Sequence, residues 1–271
     1  MMIQDIGEYR LIGAYQNISP QKQDYYLSFS DDKIFARYDE MQKTLSFPHC
    51  IDEHEDTVYL FSINEKKYFL GKENISGFNL LSMRELMALD LKENREIFVA
   101  FCAYHLYHWY QTNKYCGCCG KKMKHSKTER AMICSKCGNT VYPRINPAVI
   151  VGVKNGNQLL LTKYRNGYSH NALIAGFTEF GETLEETVAR EVKEETGLSV
   201  KNICYYKSQP WGIALDLLAG FYCDVDGDDT IRMDENELKY ASWVKREDIV
   251  LQPKRYSLTN EMMERFKNGL E

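Results

Sequence analysis

No stretch of this 271-residue chain approaches the roughly 18 consecutive apolar residues that a membrane-spanning helix needs. Met1 to Arg10 also lacks the apolar run of a secretory leader, so export is not expected. Neither sign of charge dominates: 34 Lys and Arg against 38 Asp and Glu leave a net of −4 and a pI near 5.9. That balance excludes a global electrostatic pull toward nucleic acid or an acidic bilayer. Nor do the nine cysteines, an odd number, make a disulfide framework. Four of them stand in two Cys-x-x-Cys pairs, which points to metal in a reducing compartment. A soluble cytoplasmic protein is expected, long enough for two domains or one large one.

The most constrained stretch runs from Gly176 to Leu198. Gly176 is followed after five residues by Glu182, and after seven more by Arg190, Glu191 and Val192; then come Glu194, Glu195, Gly197 and Leu198. With each fixed residue at roughly 5–7 % background, such a match arises by chance on the order of once in 10⁸ starting positions. Thr183 and Glu186 have the spacing of a capping box, so a helix is expected to begin there. Leu184, Val188 and Val192 give that helix one apolar stripe. Gly197 suits the left-handed residue that closes it. Glu191, Glu194 and Glu195, at i, i+3 and i+4, then share one exposed face. Three carboxylates so close repel one another, and a hard divalent cation such as Mg²⁺ relieves the repulsion. A merely solvated acidic face has no need of Gly176 and Arg190 at fixed offsets.

Three segments are expected. Residues 1–112 read as a β-rich unit ending in a linking helix. Tyr25 to Arg37 and Thr57 to Leu70 mix aromatic and β-branched residues with polar ones, broken by Asp31-Asp32 and Asn64-Glu65. His49 and His54 read as surface residues. A helical segment starts near Ser82, and a long helix is expected from Glu93 to Gln111. Residues 113–143 hold Cys116, Cys119, Cys134 and Cys137, each pair followed by Gly. That is the pattern of a zinc ribbon, with two knuckles aiming four thiolates at one structural Zn²⁺. Cys118 is out of register for a ligand, and Cys50, Cys102, Cys204 and Cys223 read as core residues. Between the pairs Lys121, Lys122, Lys124, Lys127 and Arg130 face a single acid, Glu129. Such a fringe suits RNA phosphates or plain solvent. Residues 144–271 read as a mixed α/β domain, with a hairpin around Asn155-Gly156-Asn157, strands over Val200–Ser208 and Leu215–Val225, and a closing helix from Leu258 to Phe266.

The box from Gly176 to Leu198 matches the Nudix hydrolase superfamily at every fixed position. A β-rich N-terminal unit, a four-Cys ribbon, the box and then Ser208-Gln209-Pro210-Trp211 resemble, more narrowly, the NADH pyrophosphatase family, whose bacterial members also remove NAD caps from RNA. The resemblance covers about Ser82 to Thr259. It implies an α+β protein whose C-terminal part is an α/β/α sandwich. It implies hydrolysis of the pyrophosphate bond of NAD(H) to nicotinamide mononucleotide and AMP, with Mg²⁺ or Mn²⁺ as the catalytic ion, in a homodimer. By the same resemblance, Glu191, Glu195, Glu237 and the Ala175 carbonyl hold the divalent metal, with Glu194 completing the carboxylates and Arg190 orienting them. Phe177 and Tyr142 match the aromatics that sandwich the nicotinamide, Tyr142 reaching in from the other subunit. Arg84, Glu129, Gln209, Trp211 and Thr259 match further substrate positions.

One segment departs from the family. After Ser-Gln-Pro-Trp the relatives continue Pro-Phe-Pro with a Ser shortly after, whereas this chain reads Gly212-Ile213-Ala214-Leu215-Asp216. Asp216 brings a carboxyl where a hydroxyl is usual, either to repel a phosphate or to bind a ribose diol. An alternative substrate is therefore another nucleoside diphosphate derivative such as ADP-ribose. A nucleic-acid-binding regulator with a retired hydrolase domain is the reading from a different class, but such domains usually lose box glutamates and none is lost here.

Overall fold

The structure, a computed structural model, describes residues 2–50, 57–71, 76–165, 170–253 and 256–271. His54 lies outside the described residues. The chain divides into two compact units, one made of Ile3–Arg144 with Gly212–Leu215, the other of Met1–Met2, Ile145–Trp211 and Asp216–Glu271.

In the first unit, strands β1 (Leu11–Ile12), β2 (Tyr25–Ser30), β3 (Lys33–Asp39), β4 (Thr44–Ser46), β5 (Val58–Ile63), β6 (Lys66–Gly71) and β7 (Asn79–Ser82) form one sheet. Its order is β1-β5-β6-β2-β3-β4, with β7 beside β3. The two expected turns are present, and their first residues, Asp31 and Asn64, both have φ of 51°. Short polar side chains tolerate that left-handed backbone. Helix α1 (Met83–Ala88) begins with a capping box between Ser82 and Glu85. Helix α2 (Arg95–Thr112) is the long helix expected from the sequence. Ile97, Val99, Ala100 and Ala103 on it are fully buried and Phe98, Phe101 and Trp109 nearly so, as a helix apolar on most sides must be. Strands β8 (Met123–His125), β9 (Met132–Cys134) and β10 (Thr140–Val141) make a separate three-stranded sheet.

The second unit is built on β11 (Asn146–Asn155), β12 (Gln158–Tyr164), β13 (Ile174–Phe177), β14 (Val200–Trp211), β15 (Asp216–Val225) and β16 (Leu238–Lys245). The order is β14-β15-β11-β12-β16, with β13 paired to β11. Only the β11–β15 pair is parallel among these described pairings. Alternate residues of the two central strands face opposite helices. Val149, Val151, Val153, Ala219, Phe221 and Cys223 cluster with Val188 and Val192 of α3 (Leu184–Thr196). Ile150 and Tyr222 cluster with Leu258, Met262, Met263 and Phe266 of α4 (Leu258–Lys267). Burial on both faces is why Ala148–Val153 is a continuous apolar run rather than an alternating one. Val188 and Val192 are fully buried, each contributing about 2 kcal/mol.

Helix, sheet and helix form the expected α/β/α sandwich. The hairpin between β11 and β12 turns at Gly156, φ 56°. One core assignment needs correction: Cys204 is exposed. It lies on β14, the edge strand, whose first half is mostly open to solvent. Strands β13 and β16 were not anticipated, being short or made of mixed polar and apolar residues.

Candidate active site and metal centre

The box is a loop, a helix and the contact between them. Thr183 caps α3: its side chain accepts from the Glu186 amide, and the Glu186 carboxylate accepts from the Thr183 amide. Gly197, φ 74°, closes the helix, and its N–H donates to the Lys193 carbonyl. Leu198 beyond it is buried.

Arg190 is the hub. Its Nε and Nη2 donate to the two oxygens of Glu182 at 2.6 and 2.9 Å, and Nη1 donates to Glu191 at 2.8 Å and to Glu194 at 3.0 Å. Nη2 also donates to the Phe177 carbonyl at 2.9 Å. One guanidinium thus ties β13 and the following loop to the helix. Hydrogen bonding to Arg190 holds the Glu182 carboxyl at about 2. Gly176 has a steric reason. A methyl group there would lie 2.0 Å from the Glu191 carboxyl carbon, so any larger residue would push that carboxylate out of its place between β13 and α3.

The three box carboxylates do not share one exposed face, which corrects the sequence expectation. Glu195 is 2 % exposed. Glu191 is largely covered, while Glu194 remains at the surface. The face at i, i+3 and i+4 turns toward β13, so the helix shelters its two inner carboxylates. Burial first, then the charges of Glu237 and Glu191, pushes the Glu195 carboxyl up to about 8. Burial raises Glu191 too, against the pull of Arg190 and with repulsion from Glu194 and Glu237. Glu237, just before β16, is therefore brought to the same place. Glu195 Oε2 has no hydrogen-bond partner among the described residues. A buried acceptor in that condition costs about 1–3 kcal/mol unless a ligand satisfies it. Buried, mutually repelling carboxylates with an unsatisfied oxygen fit a hard divalent cation, with water filling the rest of its shell.

Tyr164, at the end of β12, completes this arrangement and had no signal in the sequence. Its hydroxyl accepts from the Ala175 N–H at 3.1 Å and faces Glu195 Oε1 at 3.4 Å. Burial and the nearby carboxylates raise its own pKa, keeping it a neutral donor.

The substrate candidates fall in both units. In the second, Phe177 is 52 % exposed, and Trp211 and Thr259 are half-buried. Gln209 is fully buried; its amide donates to the Tyr256 carbonyl at 2.7 Å and accepts from the Leu258 N–H at 2.8 Å, so it braces the start of α4. Asp216 is 5 % exposed, with Oδ1 unpartnered among the described residues. Burial pushes its carboxyl up to about 6, against a hydrogen bond from Asn146. In the first unit Arg84 is exposed on α1, and the exposed Tyr142 hydroxyl donates to Glu129 at 3.1 Å. There too, Gly212 has its Cβ direction blocked by the Phe101 carbonyl oxygen, 2.2 Å from where a methyl would lie.

The ribbon cysteines converge. Sulfur atoms of Cys116 and Cys137 lie 3.6 Å apart, those of Cys119 and Cys134 3.5 Å apart, and all four within 4.8 Å of one another. Zn–S bonds of 2.3 Å in a tetrahedron require S···S of about 3.8 Å. Each knuckle closes through a glycine: the Gly120 and Gly138 N–H groups donate to the Cys116 and Cys134 carbonyls at 2.8 and 2.9 Å, with φ of 71° and 75°. Cys118 stays outside the cluster, exposed. The four thiols fit a closed, structural zinc site.

Comparison with known proteins agrees. Residues 144–266 match the NUDIX domain, and residues 111–142 match the NADH pyrophosphatase zinc ribbon domain. A crystal structure of a NUDIX hydrolase from Nitrosomonas europaea superimposes with a TM-score of 0.51 at 21 % identity, over 57 % of this chain and 90 % of that one. Among curated proteins, the NAD-capped RNA hydrolase NudC of Escherichia fergusonii is 40 % identical over 186 residues, 68 % of this chain and 70 % of that protein. The protein of the same name in Enterobacter sp. (strain 638) is 39 % identical with the same coverage. The Shigella flexneri NudC is 43 % identical over 58 % of this chain and 61 % of its own length. With the box sheltering its carboxylates, the four sulfurs set for zinc, and a relative matched over 70 % of its length, the chain belongs to the zinc-ribbon Nudix hydrolases of the NADH pyrophosphatase family.

Proposed function

We propose that this protein hydrolyses the pyrophosphate bond of NAD(H), giving nicotinamide mononucleotide and AMP, and that it also removes NAD caps from RNA. The observation that carries the reading is the buried Glu195, its Oε2 without a hydrogen-bond partner among the described residues, beside Glu191 and Glu237. The names of the relatives supply the substrate class. Glu191, Glu195, Glu237 and the Ala175 carbonyl would hold Mg²⁺ or Mn²⁺. Bound there, such an ion neutralises the diphosphate and lowers the pKa of a water. Arg190 positions Glu191 and Glu194 through its own fork and fastens the end of β13, at Phe177, to the helix. Tyr164 holds Glu195 in place. The exposed rings of Phe177 and Tyr142 suit a flat nicotinamide. Tyr142 serves the neighbouring chain of a homodimer in this proposal, and Arg84, Glu129, Trp211 and Thr259 line the substrate. Four reduced thiols are consistent with a cytoplasmic setting.

The test is chromatographic product analysis after incubation with Mg²⁺ or Mn²⁺ and, separately, NADH, NAD⁺, ADP-ribose and an NAD-capped RNA. Nicotinamide mononucleotide and AMP should form fastest from NADH or NAD⁺, and Glu195→Gln should lower turnover by roughly 10²–10³ without unfolding the chain. A fully active Glu195→Gln enzyme would sink the assignment. Faster turnover of ADP-ribose by a wide margin would mean that Gly212–Asp216 has re-specified the substrate.

A further inference from the structure

Charge is distributed unevenly along this chain. Between Asn113 and Pro143 stand seven Lys and Arg against one acid, Glu129, inside a sequence of net charge −4. Arg130 is occupied: its guanidinium donates to the carbonyls of Leu60 and Gly13. Lys114, Lys121, Lys122, Lys124, Lys127 and Lys136 are all exposed, and none has an ion pair among the described residues. Six like charges on a module this small repel one another, and a polyanion relieves that repulsion.

The register of the ribbon sheet sorts these side chains. Met123 pairs with Cys134, Lys124 with Ile133, and Thr140 with Ile133. Met123, Met132 and Cys134 are buried on one face. Alternation therefore puts Lys122, Lys124, Ile133 and Thr140 on the other. Tyr115 forms a β-bridge with Lys122 and so shares that face. Its ring is 66 % exposed and has no ring partner among the described residues. Lys122 and Lys124 stand about 6.6 Å apart along the strand. Thr140 comes two residues before Tyr142, the ring assigned above to the nicotinamide.

We propose that this face of the zinc ribbon is the track for the single-stranded RNA behind an NAD cap, with Tyr115 stacking a base and Lys122 and Lys124 holding phosphates. The proposal rests on the cap-removing function given above and adds where the RNA runs. An exposed aromatic flanked by cations is a stacking platform for unpaired bases. A base-paired stem presents no free base face to it.

The experiment is fluorescence anisotropy of a labelled, uncapped single-stranded RNA with the full-length, zinc-loaded protein across a salt series. Zinc content is checked in every variant, and free NADH hydrolysis is measured alongside. Lys122→Gln with Lys124→Gln should weaken binding at least about tenfold and flatten the log–log salt slope by about 1.4. Tyr115→Ala should weaken it about tenfold with the slope unchanged, and Tyr115→Trp should restore it. NADH turnover should stay at the wild-type level throughout. Wild-type affinity in the variants, equal binding of an RNA duplex, or equal competition by poly-glutamate would overturn the track. The last result would assign the face to an acidic protein segment instead. Loss of RNA binding with NADH turnover intact supports the track. The same loss in a protein that never hydrolyses NADH leaves the track standing and removes the enzymatic reading.

Discussion

The Tyr164 hydroxyl stands between β13 and the box helix, accepting from the Ala175 N–H at 3.1 Å and facing Glu195 Oε1 at 3.4 Å. It holds one oxygen of Glu195, while the other, Oε2, has no hydrogen-bond partner among the described residues. Removing the hydroxyl frees the carboxylate to rotate. Tyr164→Phe should raise the half-saturating Mg²⁺ concentration about tenfold and lower kcat, with KM for NADH little changed. Initial rates over a Mg²⁺ series check this, and unchanged metal dependence would deny Tyr164 its positioning role.

Asp216 makes stability depend on pH. Its carboxyl is raised from 3.8 to about 6, chiefly by burial. The folded chain thus holds this proton more tightly than the unfolded chain. The stability it contributes is complete below pH 4 and is lost as pH rises through 6. Asp216→Asn should unfold at higher urea than the wild type at pH 8, by about 3 kcal/mol, and the gap should shrink toward pH 5. Urea denaturation at the two pH values measures it.

The ribbon predicts a contrast between neighbouring thiols. Cys134→Ser should lose the zinc and lower Tm, because a closed site of this kind contributes folding energy directly. Cys118→Ser should keep one zinc per chain and the wild-type Tm, since Cys118 lies outside the cluster. Elemental analysis with thermal denaturation distinguishes the two.

Gly212 is held by contact with the main chain of α2. A methyl there would lie 2.2 Å from the Phe101 carbonyl oxygen, an atom with little room to shift. Gly212→Ala should cost about 1–3 kcal/mol, read as a lower urea midpoint. A proline at 212, which the family resemblance would place there, carries the same Cβ and would meet the same carbonyl oxygen in this backbone.

What could be read in advance was local. The capping box of α3, its left-handed close at Gly197 and the two cysteine knuckles each depend on residues within a few positions of one another. The sheltering of Glu195 was not legible, because helical spacing says which residues share a face but not what covers it. Tyr164 is 31 residues from Glu195. No periodicity marks a tyrosine at a strand end as the partner of a carboxylate. Phe101 and Gly212 meet across a still longer separation, through main-chain atoms that carry no side-chain signature. Cys204 looked apolar and turned out exposed, because edge position belongs to the sheet and not to the residue.

The parallel pairing of β11 with β15 has a kinetic side. Register joins Asn146 to Asp216, so β12, β13, the box helix and β14 all lie within the loop that this pairing closes. Closing a loop that long is slow compared with forming the hairpins inside it. The strand that carries Gly176 and the helix that carries Glu195 are complete in the chain well before the sheet has its centre. Recovery of activity on refolding should accordingly lag behind recovery of helical signal.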